Sequence, residues 1–141
     1  MLLVVDIGNT NIVLGLYDGE RLAADWRLST HPARTVDEWA IQVAGLFALA
    51  GIDRSQVDAA ILSSVVPPQT EGLTAMIRAS FGVTPTQVGP GIKTGMPILT
   101  ENPQEVGADR IVNSVAAYAL VGGAAIVVDF GTATTFDALS P

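Results

Sequence analysis

Two short segments, 123 positions apart, share one chemical pattern: an apolar run, an Asp, a Gly two positions later, and small hydroxyl or amide side chains. The first runs from Val4 to Thr10 through Asp6, and the second from Val127 to Ala133 through Asp129. A buried strand holds a carboxylate rigidly at its exit, and Gly lets backbone N–H groups approach an anion closely. Two such loops facing each other would grip a polyphosphate and its metal, so the pattern indicates a nucleotide site.

The alternative is that each segment is only a strand entering a hairpin, with Asp and Gly serving the turn. Repetition of the same residue types in the same order favours the nucleotide site. A duplication with only two copies at long spacing indicates two related half-domains rather than a solenoid. We therefore predict a first half-domain over residues 1–122 and the opening strands of a second, truncated one over residues 123–141.

A third segment, Gly107-Ala108-Asp109-Arg110, precedes a helical pattern and could also carry chemistry. Asp109 would sit at the helix N-terminus, where the dipole favours its ionised form. An ionised carboxylate can take a proton from a substrate hydroxyl, and Arg110 could bind a substrate carboxylate through two parallel hydrogen bonds. The alternative is a solvated helix cap, with Asp109 satisfying N–H groups and Arg110 in water.

The elements that must position these residues follow from apolar periodicity and turn residues. The predicted strands cover residues 2–7, 12–17, 21–28, 57–66, 124–130 and 134–139. The predicted helices cover residues 36–50, 69–80 and 108–120, and residues 83–102 form a long irregular connection. Thr35 with Glu38 three residues on predicts a capping box for the first helix, and Pro67-Pro68 ends the strand before the second. Three strands followed by alternating helices and strands are typical of an α/β fold.

Composition narrows the class of function. The chain has 141 residues, 49% hydrophobic and 15% charged, with a net charge of −7 and no Cys. These values argue against disorder, disulfides and nucleic-acid binding, while a small anionic ligand is compatible with local donors and a metal. The N-terminus lacks a basic lead, and residues 116–128 are too short to cross a bilayer. We therefore expect a soluble, cytoplasmic protein that binds neither nucleic acid nor membranes.

Taken together, three stretches resemble type III pantothenate kinase, in order along the whole chain. They are Asp6-Ile7-Gly8-Asn9-Thr10-Asn11, the stretch from Thr94-Gly95-Met96-Pro97 through Glu101-Asn102-Pro103 to Gly107-Ala108-Asp109-Arg110, and Asp129-Phe130-Gly131-Thr132-Ala133-Thr134. The resemblance implies the duplicated actin-like ATPase (ribonuclease H-like) fold, with a mixed sheet whose N-terminal strands are antiparallel and flanked by helices. It also implies phosphorylation of the primary hydroxyl of pantothenate by ATP, the first step towards coenzyme A, in a homodimer that uses Mg²⁺ and a monovalent cation (K⁺ or NH₄⁺).

The resemblance also implies roles for individual residues. The phosphate-binding loop would comprise Asp6, Gly8, Asn9, Thr10 and Asn11, with Asp6 near the Mg²⁺. Pantothenate would bind to Gly107, Ala108, Asp109 and Arg110, with Asp109 as general base. Asp129 would contribute to the monovalent-cation site, and Thr132 would contact an ATP phosphate.

Two departures from the family pattern matter. Thr100 stands where the family commonly has Tyr. Family members also run to about twice this length, which makes this chain an expected N-terminal half. Two other functions stay open from the residues alone: another small-molecule kinase or phosphohydrolase of the same fold, and a non-catalytic nucleotide-binding or regulatory module.

Overall fold

The computed structural model describes residues 1–89 and 91–141, and in them seven strands and three α-helices form. The strands are β1 (Leu2–Ile7), β2 (Asn11–Asp18), β3 (Arg21–Ser29), β4 (Ala59–Ser64), β5 (Thr86–Gln87), β6 (Ala125–Phe130) and β7 (Thr134–Leu139). The helices are α1 (Val36–Leu49), α2 (Pro67–Phe81) and α3 (Ala108–Val121). The chain divides into two compact units, Met1–Gln87 and Val88–Pro141.

The first unit contains a five-stranded mixed sheet in the order β3-β2-β1-β4-β5. β1, β2 and β3 pair antiparallel, whereas β4 lies parallel to β1 and to β5. The predicted mixed sheet with antiparallel N-terminal strands is confirmed. Because β1 and β4 are parallel, their carboxyl ends lie at the same edge of the sheet, where the Gly8–Asn11 loop begins.

The core lies on one face of this sheet. Alternate residues of β1 and β2 point into it, as the two-residue period of a strand requires. Helices α1 and α2 cover that face with large apolar side chains spaced three and four residues apart. The fully buried members of this core include Leu3, Ile7, Ile12, Leu14, Trp39, Phe47, Leu73 and Ile77.

The ends of the two core helices follow from local chemistry. The Thr35 hydroxyl accepts a hydrogen bond from the Glu38 N–H, and the Glu38 carboxylate accepts one from the Thr35 N–H, which confirms the predicted capping box. Helix α2 begins at Pro67, two residues earlier than predicted. Proline is tolerated in the first helical turn because its missing N–H would have no intrahelical partner there.

The second unit holds α3 and the antiparallel hairpin β6–β7. The predicted return strand over residues 134–139 is confirmed. Alternate residues of both strands are half-buried, whereas their neighbours are exposed. The exposed set is mostly apolar and consists of Ile126, Val128, Phe130, Thr134, Phe136 and Ala138. The half-buried set includes Asp129 and Asp137, which therefore lie on the same side of the hairpin.

Some predicted boundaries differ from those observed. Strand β4 is shorter than the predicted 57–66, because Val57 ends a 3₁₀ turn over Arg54–Gln56. The predicted irregular connection contains the short strand β5 and is followed by a 3₁₀ turn over Pro103–Glu105. Pro90, which that prediction includes, lies outside the described residues. The predicted half-domain boundary between residues 122 and 123 refers to the repeated sequence pattern and not to the two compact units. It stays a prediction.

Candidate active site

The Gly8–Asn11 loop connects β1 to β2, whose last paired residues are Ile7 and Ile12. The Gly8 N–H donates to the Asn11 carbonyl at 2.9 Å, which closes the turn. A Cβ at position 8 would lie 3.1 Å from that carbonyl oxygen, closer than side chains normally approach backbone. A side chain at this position would therefore require the Asn11 carbonyl to shift by a few tenths of an ångström. Asn9 and Thr10 are exposed at the tip, and Asn11 is half-buried where β2 begins.

Two buried polar residues form a hydrogen-bond network with this loop. The Thr30 hydroxyl donates to the Gly8 carbonyl at 2.6 Å, and the Thr30 N–H donates to the Thr10 carbonyl at 3.0 Å. The Gln69 side-chain amide donates to the Thr30 carbonyl at 3.0 Å. Thr30 is fully buried and Gln69 is 3% exposed, so this network is shielded from water.

Asp6 lies one residue before the end of β1 and is exposed on the sheet face opposite the core. Its neighbours in register are Val13 on β2 and Ser63 on β4. The Ser63 hydroxyl is buried and lacks a hydrogen-bond partner within the described residues. A carboxylate at the exit of a buried strand, next to a Gly turn, is what the nucleotide-site prediction requires.

The second Asp-Gly segment also forms a hairpin turn. Three residues, Gly131–Ala133, lie between the paired residues Phe130 and Thr134, one fewer than the four between the paired residues Ile7 and Ile12. The Gly131 N–H donates to the Ala133 carbonyl at 3.1 Å, and Thr132 is exposed at the tip. The two segments thus share the strand, the Asp and the Gly-initiated turn, although their loops differ by one residue.

Helix α3 brings the predicted substrate segment towards this hairpin. Gly107 is the N-cap, Ala108 is buried, and Asp109 and Arg110 are half-buried in the first turn. The Asp109 Oδ1 atom accepts a hydrogen bond from the Arg110 N–H at 2.8 Å. Asp109 therefore occupies the predicted position at the helix N-terminus.

Arg110 is paired within its own unit. Its Nε donates to the Oδ1 atom of Asp137 at 2.9 Å, and its Nη2 donates to the same oxygen. These hydrogen bonds raise the pKa of Arg110; burial opposes the shift, and the charges of Asp137 and Asp109 add to it. The hypothesis that left Arg110 in water is wrong, because Asp137 on β7 lies within hydrogen-bond reach. Asp137 accepts from two of the five guanidinium N–H groups.

Asp129 is held one helical turn further along α3. The Asn113 side-chain amide donates to the Asp129 Oδ2 atom at 3.2 Å. Arg110 and Asn113 are three positions apart and share a helix face, just as Asp129 and Asp137 share a strand face. The described residues contain no group of three or more acidic, His or Cys side chains close enough to hold a metal.

A cavity of about 460 Å³ opens in the second unit beside α3 and β7. Arg110 and Asp137 supply its charged groups, while much of the remaining wall is apolar or small. Thr100, the position where the family commonly has Tyr, also contributes to the wall. Gly107, Ala108, Asp109 and Asp129 do not line it, so only Arg110 of the predicted substrate residues does.

Sequence reasoning missed four polar residues of these two sites: Thr30, Gln69, Asn113 and Asp137. The helical spacing of Arg110 and Asn113 was a usable signal, as was the strand alternation that puts Asp137 on the Asp129 face. Thr30 and Gln69 carried no local signal, because their partners lie 22 and 39 positions away.

Comparison with known proteins decides the family. The sequence model of type III pantothenate kinases matches residues 2–141. The chain belongs to this family. Curated family members of the same name include proteins of Geobacter sulfurreducens, 62% identical over 137 residues, and of Myxococcus xanthus, 56% identical over 141 residues. These alignments cover 97% and 100% of the chain but 54% and 55% of the relatives. The chain thus spans about half the length of the curated relatives it matches.

A solved structure supports the fold assignment. The chain resembles a crystal structure described as a 2-dehydro-3-deoxygalactonokinase protein from Sinorhizobium meliloti, with a TM-score of 0.55 and 14% identity. The match covers all of this chain and 50% of that protein. At this identity the likeness shows the fold alone, and it confirms the predicted α/β, actin-like ATPase architecture. Among the described residues, no helix is both long and apolar enough to span a bilayer.

Proposed function

We propose that this chain is part of an enzyme that phosphorylates the primary hydroxyl of pantothenate with ATP, giving 4'-phosphopantothenate, the first step of coenzyme A biosynthesis. The observation that carries the proposal is the family match over residues 2–141. All three segments singled out for their chemistry lie within that match. Phosphoryl transfer needs mainly alignment and charge neutralisation, which are what these segments could supply.

The Gly8–Asn11 loop is the proposed first phosphate-binding element. Its tip is exposed, its turn is closed by a backbone hydrogen bond, and the absence of a side chain at Gly8 lets the backbone fold tightly. Asn9, Thr10 and Asn11 add polar side chains for phosphate oxygens. Thr132, exposed at the tip of the second hairpin, is the proposed further phosphate contact.

Asp109 is the proposed general base. Its Oδ1 atom accepts the Arg110 N–H, so we assign its other oxygen, Oδ2, to the substrate hydroxyl. That oxygen would take the proton as the hydroxyl attacks the γ-phosphorus of ATP and the bond to ADP breaks. Gly107 and Ala108 bring the backbone of the helix start next to the substrate.

Arg110 is the proposed partner of the pantothenate carboxylate. Asp137 accepts from its Nε and Nη2, and the remaining N–H groups of the guanidinium suffice for a second carboxylate. The adjoining cavity of about 460 Å³ falls within the range of small-ligand sites, and its apolar wall suits the two methyl groups of pantothenate.

Each proposed metal ion would bind one carboxylate of this chain. Mg²⁺ commonly uses one or two carboxylates together with substrate phosphates, so exposed Asp6 is a suitable ligand. When bound, the ion would neutralise charge on the phosphates. Asp129, half-buried and oriented by the Asn113 amide, offers oxygen to a monovalent cation, K⁺ or NH₄⁺. We further propose that the enzyme is a cytoplasmic homodimer.

Replacement of Asp109 tests the proposed chemistry. The assay uses the 141-residue chain, alone and extended by the remaining half of the Geobacter sulfurreducens relative, with ATP, Mg²⁺ and pantothenate. Asp109→Asn should lower kcat at least about a hundredfold while the circular dichroism spectrum is kept, because the amide cannot accept the proton. Glu105→Gln is the matched control: it makes the same change on an exposed carboxylate near the start of the helix and should leave turnover within about twofold. Unchanged turnover in Asp109→Asn would remove Asp109 from the mechanism.

A further inference from the structure

We propose that Thr30 and Gln69 are positioning residues that fix the Gly8–Asn11 loop in its phosphate-binding conformation. The proposal rests on the proposed function of that loop. Neither residue belongs to the repeated Asp-Gly pattern or to the segment around Asp109. Neither side chain contacts the proposed ligand; each acts through backbone carbonyls.

Thr30 fastens the loop at two points. Its hydroxyl donates to the Gly8 carbonyl at 2.6 Å and its N–H donates to the Thr10 carbonyl at 3.0 Å. The loop backbone is thus bound at Gly8 and at Thr10, on either side of Asn9. Gln69, in the first turns of α2, then donates to the Thr30 carbonyl at 3.0 Å and ties Thr30 to that helix.

The direction of these bonds matters for an anion. In a trans peptide the C=O and the following N–H point in opposite directions. Because the Gly8 carbonyl points at Thr30, the Asn9 N–H points away from Thr30. Backbone N–H groups held in one direction are what binds phosphate in a Gly-containing loop. Losing the Thr30 hydroxyl would release the peptide plane that sets this direction.

Burial makes the arrangement stiff. Thr30 is 0% and Gln69 is 3% exposed, so neither can exchange its partner for water without local opening. Fully satisfied polar networks in such surroundings are rigid, and leaving the Gly8 carbonyl without its donor is costly. Thr30→Val keeps the shape of the side chain and removes only this donor. Preorganisation of the loop would reduce the entropy that a phosphate ligand must remove.

Two readouts test the proposal. Hydrogen exchange of the loop amides in the 141-residue chain measures whether the loop is released. The KM for ATP and kcat in the extended protein measure the consequence. In Thr30→Val we expect faster exchange of the Gly8 N–H, which donates to the Asn11 carbonyl, and a roughly tenfold higher KM for ATP, the change expected for loss of one hydrogen bond, with kcat changed less. Thr30→Ser keeps the hydroxyl and should restore both values.

Two further variants separate positioning from general stability. Gln69→Met removes the side-chain amide and keeps the length of the side chain. It should raise hydrogen exchange and the KM for ATP, as Thr30→Val does. If Thr30→Val does not fold, Gln69→Met provides the test. Thr74→Val is the matched control: Thr74 is 7% exposed on the same helix, and its hydroxyl accepts from Gln87 at 3.1 Å, away from the loop. It should lower stability without changing the KM for ATP.

The outcomes distinguish this proposal from the proposed function. Gly8→Ala, measured in parallel, asks whether the loop binds phosphate at all. If Gly8→Ala raises the KM for ATP while Thr30→Val and Gln69→Met leave exchange and KM unchanged, the positioning role is wrong and the loop's function stands. If exchange rises in Thr30→Val but KM stays constant in all three, the loop is not the phosphate site and both proposals fall. An equal KM increase in Thr74→Val would reduce Thr30 to a structural residue.

Discussion

The pair formed by Arg110 and Asp137 allows a quantitative prediction. Its two hydrogen bonds converge on one carboxylate oxygen, and its side chains are 37% and 14% exposed. Exposed ion pairs contribute about 0.2–1 kcal/mol, and removing one partner of a buried pair costs about 3–5 kcal/mol. For this intermediate burial we expect a coupling free energy of about 1–2 kcal/mol.

A double-mutant cycle of Arg110→Met, Asp137→Asn and the combined variant measures this coupling. The assay is hydrogen exchange of the α3 amides in the 141-residue chain, followed by mass spectrometry. Exchange in α3 reports local stability in the second unit, whereas Trp26 and Trp39 both lie in the first. We expect the two single variants to lower the opening free energy of α3 by amounts whose sum exceeds the loss in the double variant. The difference is the coupling free energy.

The control pair is Asp18 with Arg21 in the turn between β2 and β3. Its side chains are 57% and 69% exposed and meet at 3.2 Å, so the same cycle read from the β2–β3 amides should give under about 0.5 kcal/mol. Raising the salt concentration should weaken that pair more than the Arg110–Asp137 pair. A coupling below about 0.3 kcal/mol for Arg110 and Asp137, in the α3 cycle, would refute the reasoning.

Two other predictions concern the first unit. Gly8→Ala should destabilise it by about 1 kcal/mol, because the new Cβ would meet the Asn11 carbonyl oxygen at 3.1 Å, whereas Gly45→Ala, in open space within α1, should stabilise it by about 0.5–1 kcal/mol. Urea denaturation followed by Trp fluorescence measures both, and equal signs would contradict the packing argument. Hydrogen bonds from the Thr35 N–H and hydroxyl lower the pKa of Glu38 below its ordinary value of 4.5, so its contribution to stability is present above that pH and is lost as the pH falls through the lowered pKa. Glu38→Gln should flatten this part of the stability profile, and an unchanged slope between pH 5 and 3, measured at about half-unit steps, would contradict it.

The sequence was sufficient where local rules decide the structure. Apolar residues at helical spacing predicted α1 within one residue of its observed end, and the capping box at Thr35 marked its start. The repeated Asp-Gly segments marked the β1–β2 and β6–β7 hairpins, because a turn and its flanking strands lie close in sequence. The early start of α2 at Pro67 was missed because the proline pair was interpreted only as the end of a strand.

Long-range pairing lay beyond the sequence. Arg110 meets Asp137 across 27 positions, and that contact depends on the register of β6–β7, which a three-residue loop sets. A loop one residue longer would shift the pairing and turn side chains to the other face. Thr30 is a polar residue in a polar segment, and its hydrogen bond from Gln69 of α2 spans 39 positions.

The family assignment extends over almost the whole chain, and residues 8–10 and 131–133 form turns directly after the strands that carry Asp6 and Asp129. The roles of Asp6, Asp109, Asp129 and Thr132 stay predictions, since they concern bound phosphate, proton and metal.

The most direct test of the central claim is product analysis by ³¹P nuclear magnetic resonance. The extended protein is incubated with ATP, Mg²⁺, K⁺ and pantothenate, beside the 141-residue chain alone. The account predicts one phosphomonoester of pantothenate for each ADP released by the extended protein, and little ADP when pantothenate is omitted. Release of inorganic phosphate at the same rate with and without pantothenate would contradict it.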